Sequence, residues 1–438
     1  MDESLSLDFL RGLQTTGIRP GLTRISRLLA RLGHPERRFP SVLIAGTNGK
    51  GSTAAFLDAI LRAAGCRTGL FTSPHLVDVR ERFRINGSMI TETAFCSFGE
   101  QVRAAMSPTS RQVELKATYF EALTAIGFLA FADASLDLAV VEIGMGGRLD
   151  STNVLSPCVS VLTNVTVDHA RYLGSTVESI ATEKVGIARA ARPFVTGVDD
   201  QVFDAVVGPH LLNLGTSALR AGRDFHMATS GSGFRFQGQR WCIEDITLSL
   251  AGSFQKDNAA LAVATASTLA EQGLPIGESA VRIGLASAVW PGRWQTVSRA
   301  PLVLLDGGHN PGAATRVAET LRESPLPHPC VLVHSSKAEK DYGAFLQAVV
   351  PFFDHVIETT IAGLADPENL FEHATRIAAA CPAPGPAVQM REDLTSAVAE
   401  ALRLAGHSGS ILIAGSLYLV GAALSGRPWE ATRAVKAY

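Results

Sequence analysis

At 438 residues with 46% apolar content, the chain is too long for one hydrophobic core and calls for two or three domains. A formal charge of −2 gives no clustered positive field for nucleic acid or an anionic membrane, although small anions can still bind locally. The acidic start Met1-Asp2-Glu3-Ser4, the lack of any long apolar run and six cysteines without Cys-x-x-Cys spacing argue against a signal peptide, a membrane span, a disulfide framework and a zinc cluster. The expectation is a cytoplasmic protein, with a monomer as the default because no pairing segment is visible.

Strands and helices alternate from the start, the pattern of an α/β fold built on a mostly parallel sheet. The apolar run Val42–Ala45 predicts a buried strand, and Ala45-Gly46-Thr47-Asn48-Gly49-Lys50-Gly51-Ser52 turns from it into a helix. Glycines let backbone N–H groups approach an anion, the helix start carries partial positive charge, and Lys50 adds a full charge. The segment therefore reads as a cradle for nucleotide phosphate, the bland alternative being a flexible strand-to-helix turn. It departs from the general P-loop pattern, with Ile44 at the first glycine position and Gly51 where a magnesium-binding Ser or Thr would follow the lysine. That departure argues against an ordinary kinase or GTPase. The helix is predicted to run from Gly51 to Ala64, with Ala55, Phe56, Ala59 and Ile60 on one stripe and Gly65 as its stop.

Thr68–Thr72 reads as the next strand and leads into the loop Ser73-Pro74-His75-Leu76. Thr118–Phe131 is predicted helical, Leu136–Ile143 and Val159–Asn164 are strands, and Thr176–Ala190 is a helix. From Ala221 to Leu250, short alternations broken by Gly-Ser-Gly and Gln-Gly-Gln predict antiparallel hairpins appended to the sheet. Helix returns over Gln255–Glu271, and Pro291-Gly292-Arg293 then interrupts it. A second α/β series follows, with strands at Leu302–Leu305, Val331–His334 and Ile411–Ala414 and helices near Gly312–Arg322 and Tyr342–Val349. A boundary near Arg293–Arg299 divides the chain into residues 1–295 and 296–438.

Two further segments carry chemistry. Glu142 ends an apolar strand and opens the glycine-rich loop to Asn153, where doubly wound sheets bind ligands. One strand later, Asp168-His169 places an imidazole at the same edge. Hydroxyl, carboxylate and imidazole are magnesium ligands beside phosphate, and Ser73, Glu142 and His169 supply that set. Taken singly, Glu142 is equally a capped strand-end carboxylate and His169 a structural or exposed histidine.

In this order the motifs are highly specific: Gly46 to Ser52, Thr72-Ser73-Pro74-His75-Leu76, Glu81-Arg82-Phe83, Glu142 to Asn153, Asp168-His169 with Leu173-Gly174, Glu183-Lys184-Val185-Gly186-Ile187, Pro291-Gly292-Arg293, Asp306-Gly307-Gly308-His309-Asn310-Pro311 and Gly415-Ser416-Leu417-Tyr418. Over nearly its whole length the chain resembles the folylpolyglutamate synthases, often also dihydrofolate synthases, of the Mur ligase superfamily of ATP-dependent amide-forming enzymes. The resemblance implies an N-terminal P-loop ATPase domain and a smaller C-terminal Rossmann-like α/β domain that binds glutamate. Thr47, Asn48, Gly49, Lys50, Gly51 and Ser52 would hold ATP phosphates, with two magnesium ions on Ser73, Glu142 and His169. Lys184 matches the lysine that family members carbamylate, where the bland reading is a salt bridge to Glu183 or another helix carboxylate. Asn258 matches an adenine-contacting Asn, although Phe254 stands where many relatives carry His. Arg293 and Asp306 match residues that close over the nucleotide, and a plain hinge ion pair is the alternative for Arg293. His309 would act near the γ-phosphate or glutamate, or simply cap the next helix. Thr118, Tyr119, Phe120, Glu121, Leu149, Asp150 and Ser151 resemble the segments that hold dihydropteroate, with Phe120 stacking on the pterin or packing in the core and Asp150 accepting its N–H groups. Around Glu339-Lys340-Asp341 the chain departs from the family's Gly-Met and Asp-Lys-Asp pattern, with His334-Ser335-Ser336-Lys337 preceding.

The implied reaction is joining of L-glutamate to tetrahydrofolate, and to dihydropteroate, through an acyl phosphate. A folylpolyglutamate synthase alone, a peptidoglycan Mur ligase, a P-loop kinase and a nucleotide-binding switch are the rivals. The expected partners are small molecules only, namely ATP, a folate or dihydropteroate, and L-glutamate.

Overall fold

Residues 9–108, 114–335, 342–361 and 385–431 are described by a computed structural model. Eight strands form the first sheet: β1 (Ser41–Ala45), β2 (Thr68–Phe71), β3 (Phe83–Ile85), β4 (Ser88–Met89), β5 (Leu138–Glu142), β6 (Val159–Leu162), β7 (Phe194–Thr196) and β8 (Ala218–Arg220). They lie in the order β4-β3-β2-β5-β1-β6-β7-β8, parallel except for the β3–β4 edge. Every residue of β1, β5 and β6 is buried, because helices cover both faces and leave no polar side for alternation. Asn86 and Gly87, both with positive φ, close the β3–β4 hairpin as the two-residue turn that suits strand twist.

The helix Lys50–Ala63 is buried along all of Ser52–Leu61, a wider contact than the single stripe its apolar residues imply. The helix Glu278–Ser287 supplies the second contact. At Gly284 a Cβ would lie 2.5 Å from the Ile60 backbone, so the two axes approach as closely as they do only because that position has no side chain. The helix Tyr119–Asp133 starts one residue later than predicted, since Thr118 is its cap. The helix expected over Thr176–Ala190 is shorter, running Val177–Val185 between the Thr176 cap and Gly186.

The predicted hairpins exist but form their own antiparallel sheet, β9 (His226–Ser230), β10 (Gly233–Gln237) and β11 (Cys242–Ile246), rather than extending the eight-stranded one. The third sheet comprises β12 (Gln295–Arg299), β13 (Leu302–Asp306), β14 (Cys330–His334), β15 (His355–Thr359), β16 (Ala387–Arg391) and β17 (Ser410–Ala414). Its order is β12-β13-β17-β14-β15-β16, with only β12 antiparallel. Alternate residues of its strands feed two cores, Leu304, Leu332, Val356 and Leu412 on one face and Val303, Val331, Ile357 and Ile411 on the other.

Contacts divide the chain into two units. The first holds residues up to His75 with Val79–Ser249 and Lys256–Val289; the second holds Leu76–Asp78, Leu250–Gln255 and everything from Trp290. No described helix is long and apolar enough to cross a membrane.

Candidate active site

The parallel register aligns the carboxyl ends of the central strands in the first unit. Ile44 of β1 lies level with Glu142 of β5 and Val161 of β6, and Phe71 of β2 with Val141. The loops that leave this edge therefore meet where open α/β sheets bind ligands.

The Gly46–Gly49 loop is pinned to the segment after β6. The Thr47 N–H donates to Asn164 O at 2.9 Å, the Asn48 N–H to Asn164 Oδ1 at 3.0 Å, and Thr163 Oγ1 to Asn48 O at 2.7 Å. Thr47 Oγ1 donates to Thr166 O at 3.0 Å and accepts from the Thr166 N–H at 3.1 Å. Gly49, at φ +82°, begins the helix Lys50–Ala63 in the left-handed region, and a Cβ there would lie 2.2 Å from Asn258 Oδ1. No side chain caps this helix start, whose first N–H groups have no intrahelical acceptors, the arrangement that receives an anion. Asn258 thus lies beside the loop.

Two cations converge on the same turn. Lys50 Nζ donates to Thr47 O at 3.1 Å, and Lys184 Nζ reaches from its own helix to Gly46 O at 2.8 Å. The side chain of Lys184 does not pair with Glu183, which instead meets Arg148 at 2.7 Å. Burial, and after it nearby Lys50, lower the Lys184 amine to about 7 against the opposing pull of Asp168 and Asp150.

At the rim, the backbone N–H of Ser73 donates to Glu142 Oε2 at 3.0 Å, and Glu142 is buried. His169 follows β6 at left-handed φ +52°, with its N–H on Asp168 Oδ1 at 2.7 Å and its ring exposed. Ser73 and Glu142 are thus brought into contact at this rim. Among the described residues no three His, Cys, Asp or Glu side chains gather as a metal cluster.

The segment Thr118–Glu121 is held chiefly by its own capping box. The Glu121 N–H donates to Thr118 Oγ1 at 3.3 Å, the Thr118 N–H to Glu121 Oε2 at 2.7 Å, and Arg24 Nε lies 3.1 Å from Glu121 Oε1. Tyr119 and Phe120 pack half-buried against the core, and the Phe120 ring stands 6.1 Å from that of Phe71 and over Gly144. Asp150 is buried and accepts from the Met145 N–H at 2.9 Å and from Thr152 N–H and Oγ1 at 3.0 and 2.6 Å. Burial raises its carboxyl above the ordinary range despite those donors. Ser151 Oγ meets Thr124 Oγ1 at 2.8 Å, and Leu149 O accepts from the Gly21 N–H.

In the second unit, the buried Asp306 carboxylate accepts from the Trp294 N–H at 2.9 Å and the Gly308 N–H at 2.8 Å. Burial raises its pKa, opposed by Arg293. The Arg293 guanidinium donates to Gly292 O at 3.4 Å, so one carboxylate and one guanidinium brace the turn that opens this unit. The His309 ring is held to Gly307 O at 2.9 Å; the cap of the helix Pro311–Glu323 is Asn310, not His309. Sequence reasoning missed a buried pair in the same sheet, His334 Nδ1 with Glu358 Oε2 at 2.7 Å, which joins the ends of β14 and β15. The Glu339-Lys340-Asp341 motif with Ser336 and Lys337 lies outside the described residues.

The sequence matches "Mur ligase middle domain" over residues 44–266 and "Mur ligase, glutamate ligase domain" over residues 292–417. A Halobacterium salinarum protein named "Probable bifunctional folylpolyglutamate synthase/dihydropteroate synthase" is 38% identical over 94% of this chain, and the chain spans about half (50%) of that relative's length. The Bacillus subtilis "Dihydrofolate synthase/folylpolyglutamate synthase" is 36% identical, over 78% of this chain and 79% of the relative. The structure of Escherichia coli FolC in complex with DHPP and ADP superposes with a TM-score of 0.87 at 30% identity, covering 98% of both chains. By these matches in sequence and fold, the chain belongs to the Mur ligase superfamily, in its folylpolyglutamate synthase/dihydrofolate synthase branch.

Proposed function

We propose that the protein is an ATP-dependent ligase that adds L-glutamate to tetrahydrofolate, extending a polyglutamate chain, and to 7,8-dihydropteroate, making dihydrofolate. The observation that carries this reading is the convergence of Lys50 and Lys184 on the Gly46–Thr47 backbone, beside a rim carboxylate at Glu142. A carboxylate is a poor electrophile at neutral pH, so the substrate acid first takes the γ-phosphoryl group of ATP, releasing ADP. The amine of L-glutamate then attacks the acyl phosphate carbon and phosphate leaves. Lys50 and the helix start stabilise charge on the phosphoryl oxygens, while the pinned loop fixes their position.

The oxygen-rich donor set and the buried, N–H-oriented Glu142 fit a hard divalent cation, for which Ser73, Glu142 and His169 are the holders. Two magnesium ions bound there would neutralise triphosphate charge. Lys184 has the chemistry for carbamylation: an amine near 7 is substantially neutral at physiological pH and adds carbon dioxide, releasing one proton and leaving an anionic carbamate. Labelled bicarbonate followed by carbon-13 NMR is expected to give a carbamate signal that Lys184→Met abolishes. The first unit would hold ATP and the folate, through Phe120 and Asp150, and the second, which carries Arg293, Asp306 and His309, would hold the amino acid.

ADP release measured with dihydropteroate, tetrahydrofolate or a UDP-muramyl peptide, each with and without L-glutamate, tests the proposal. Turnover with the two pteridines that requires glutamate is expected. Turnover indifferent to glutamate removes the ligase reading, and turnover with tetrahydrofolate alone removes the second activity.

A further inference from the structure

Arg189 lies half-buried just beyond the helix Val177–Val185, and among the described residues no carboxylate pairs with it. Its donors go to carbonyls from two chain segments instead. Nη1 reaches Gly186 O at 3.5 Å, Ile187 O at 3.0 Å and Ala188 O at 3.1 Å. Nη2 reaches Asn153 O and Oδ1, both at 2.8 Å, and Leu155 O at 2.9 Å. Asn153 Nδ2 answers across the same seam, donating to Gly186 O at 3.1 Å, and also to Arg148 O of its own loop at 3.1 Å.

One segment carries Lys184, whose amine touches the phosphate loop at Gly46; the other carries Asp150. They are also pressed together at Gly147, where a Cβ would lie 2.8 Å from Lys184 O, so neither can shift alone. A guanidinium plane with fixed forks is suited to locking several carbonyls at once, and a lysine ammonium cannot copy it. A carboxylate partner would compete for those donors, and its absence leaves the whole fork to the two segments.

We propose that Arg189 is a positioning residue: it clamps the Asp150 loop to the Lys184 helix end, so that the acceptor site and the phosphate loop keep one fixed geometry. The inference rests on the ligase reading for its catalytic consequence, but not for the clamp itself. Loss of the fork displaces Asp150 relative to the acid group without touching the amino-acid site. Misplacement on that scale lowers turnover by roughly ten- to a hundredfold.

The test compares Arg189→Lys and Arg189→Met with the parent protein. Steady-state ADP release is expected to show a higher KM for the pteridine acid and a lower kcat, with KM for L-glutamate unchanged. Arg189→Lys keeps the charge and loses the fork, so it serves if Arg189→Met fails to fold. Amide hydrogen exchange supplies a readout independent of ligase activity: both variants are expected to expose residues 144–155 and 177–189 together. Unchanged exchange in the two segments overturns the clamp, and so does unchanged KM for the acid in a folded variant. A parent protein without glutamate-dependent turnover, whose variants still show coupled exchange, overturns the functional reading and leaves the clamp standing.

Discussion

Lys50 and Lys184 illustrate how one backbone turn gives two lysines different tasks. Lys50 starts a helix and lies half-buried, whereas Lys184 is buried against Gly46 O. Lys50→Ala is expected to lower turnover by about a thousandfold or more while far-UV circular dichroism and the thermal midpoint stay near those of the parent, since the side chain sits at a loop end. For Lys184 the pH dependence follows from linkage. The folded amine titrates at about 7 and the unfolded one near 10.5, so between those values the unfolded chain binds more protons and stability rises with pH. Denaturant unfolding is expected to gain on the order of 4 kcal/mol over that window, and Lys184→Met is expected to flatten the rise. A parent protein whose midpoint falls between pH 7 and 10 contradicts the assignment. Asp306 adds a third case, because its carboxylate accepts from two backbone N–H groups. Asp306→Asn turns one acceptor into a donor facing an N–H, at an expected cost of about 1–3 kcal/mol in urea unfolding.

The Gly46–Gly49 loop is the element whose geometry tolerates least. Gly49→Ala would place a side chain at φ +82° and 2.2 Å from Asn258 Oδ1, so calorimetric affinity for ADP is expected to fall at least about tenfold. Thr118→Ala breaks the capping box of the helix Tyr119–Asp133, an expected loss of about 0.5–2 kcal/mol in stability. These elements also show what the sequence can reveal. Strands buried on both faces stood out as apolar runs, and Gln255–Glu271 was legible end to end. The Asn86-Gly87 turn carried its signal in two residues and passed unread. β12 escaped because an edge strand with one exposed side lies inside what reads as a linker. The wider burial of the helix Lys50–Ala63 depends on Gly284, more than two hundred positions away in sequence, which local periodicity cannot reveal. The capping box of Thr118 and Glu121 was not read from the sequence, because a helix cap and a polar site use the same residue types; only the hydrogen bonds reveal it.

At the scale of the whole molecule, two α/β units each put the carboxyl ends of parallel strands to use. The first gathers the Gly46–Gly49 loop, Lys184, Ser73 with Glu142, and the Asp150 loop at one edge; the second braces Asp306, Arg293 and His309 around its opening turn. The motif order made the family legible. Pairings that depend on long-range packing, Lys184 with Gly46 and Arg189 with Asn153, were not, since nothing in either local sequence names its partner. The central claim is that this edge primes an acid group by transferring phosphate to it. Dihydropteroate carrying oxygen-18 in its carboxylate, turned over with ATP and L-glutamate, tests that claim most directly. The account predicts one labelled oxygen in the phosphate released per amide formed; amide formed with phosphate entirely unlabelled would contradict it.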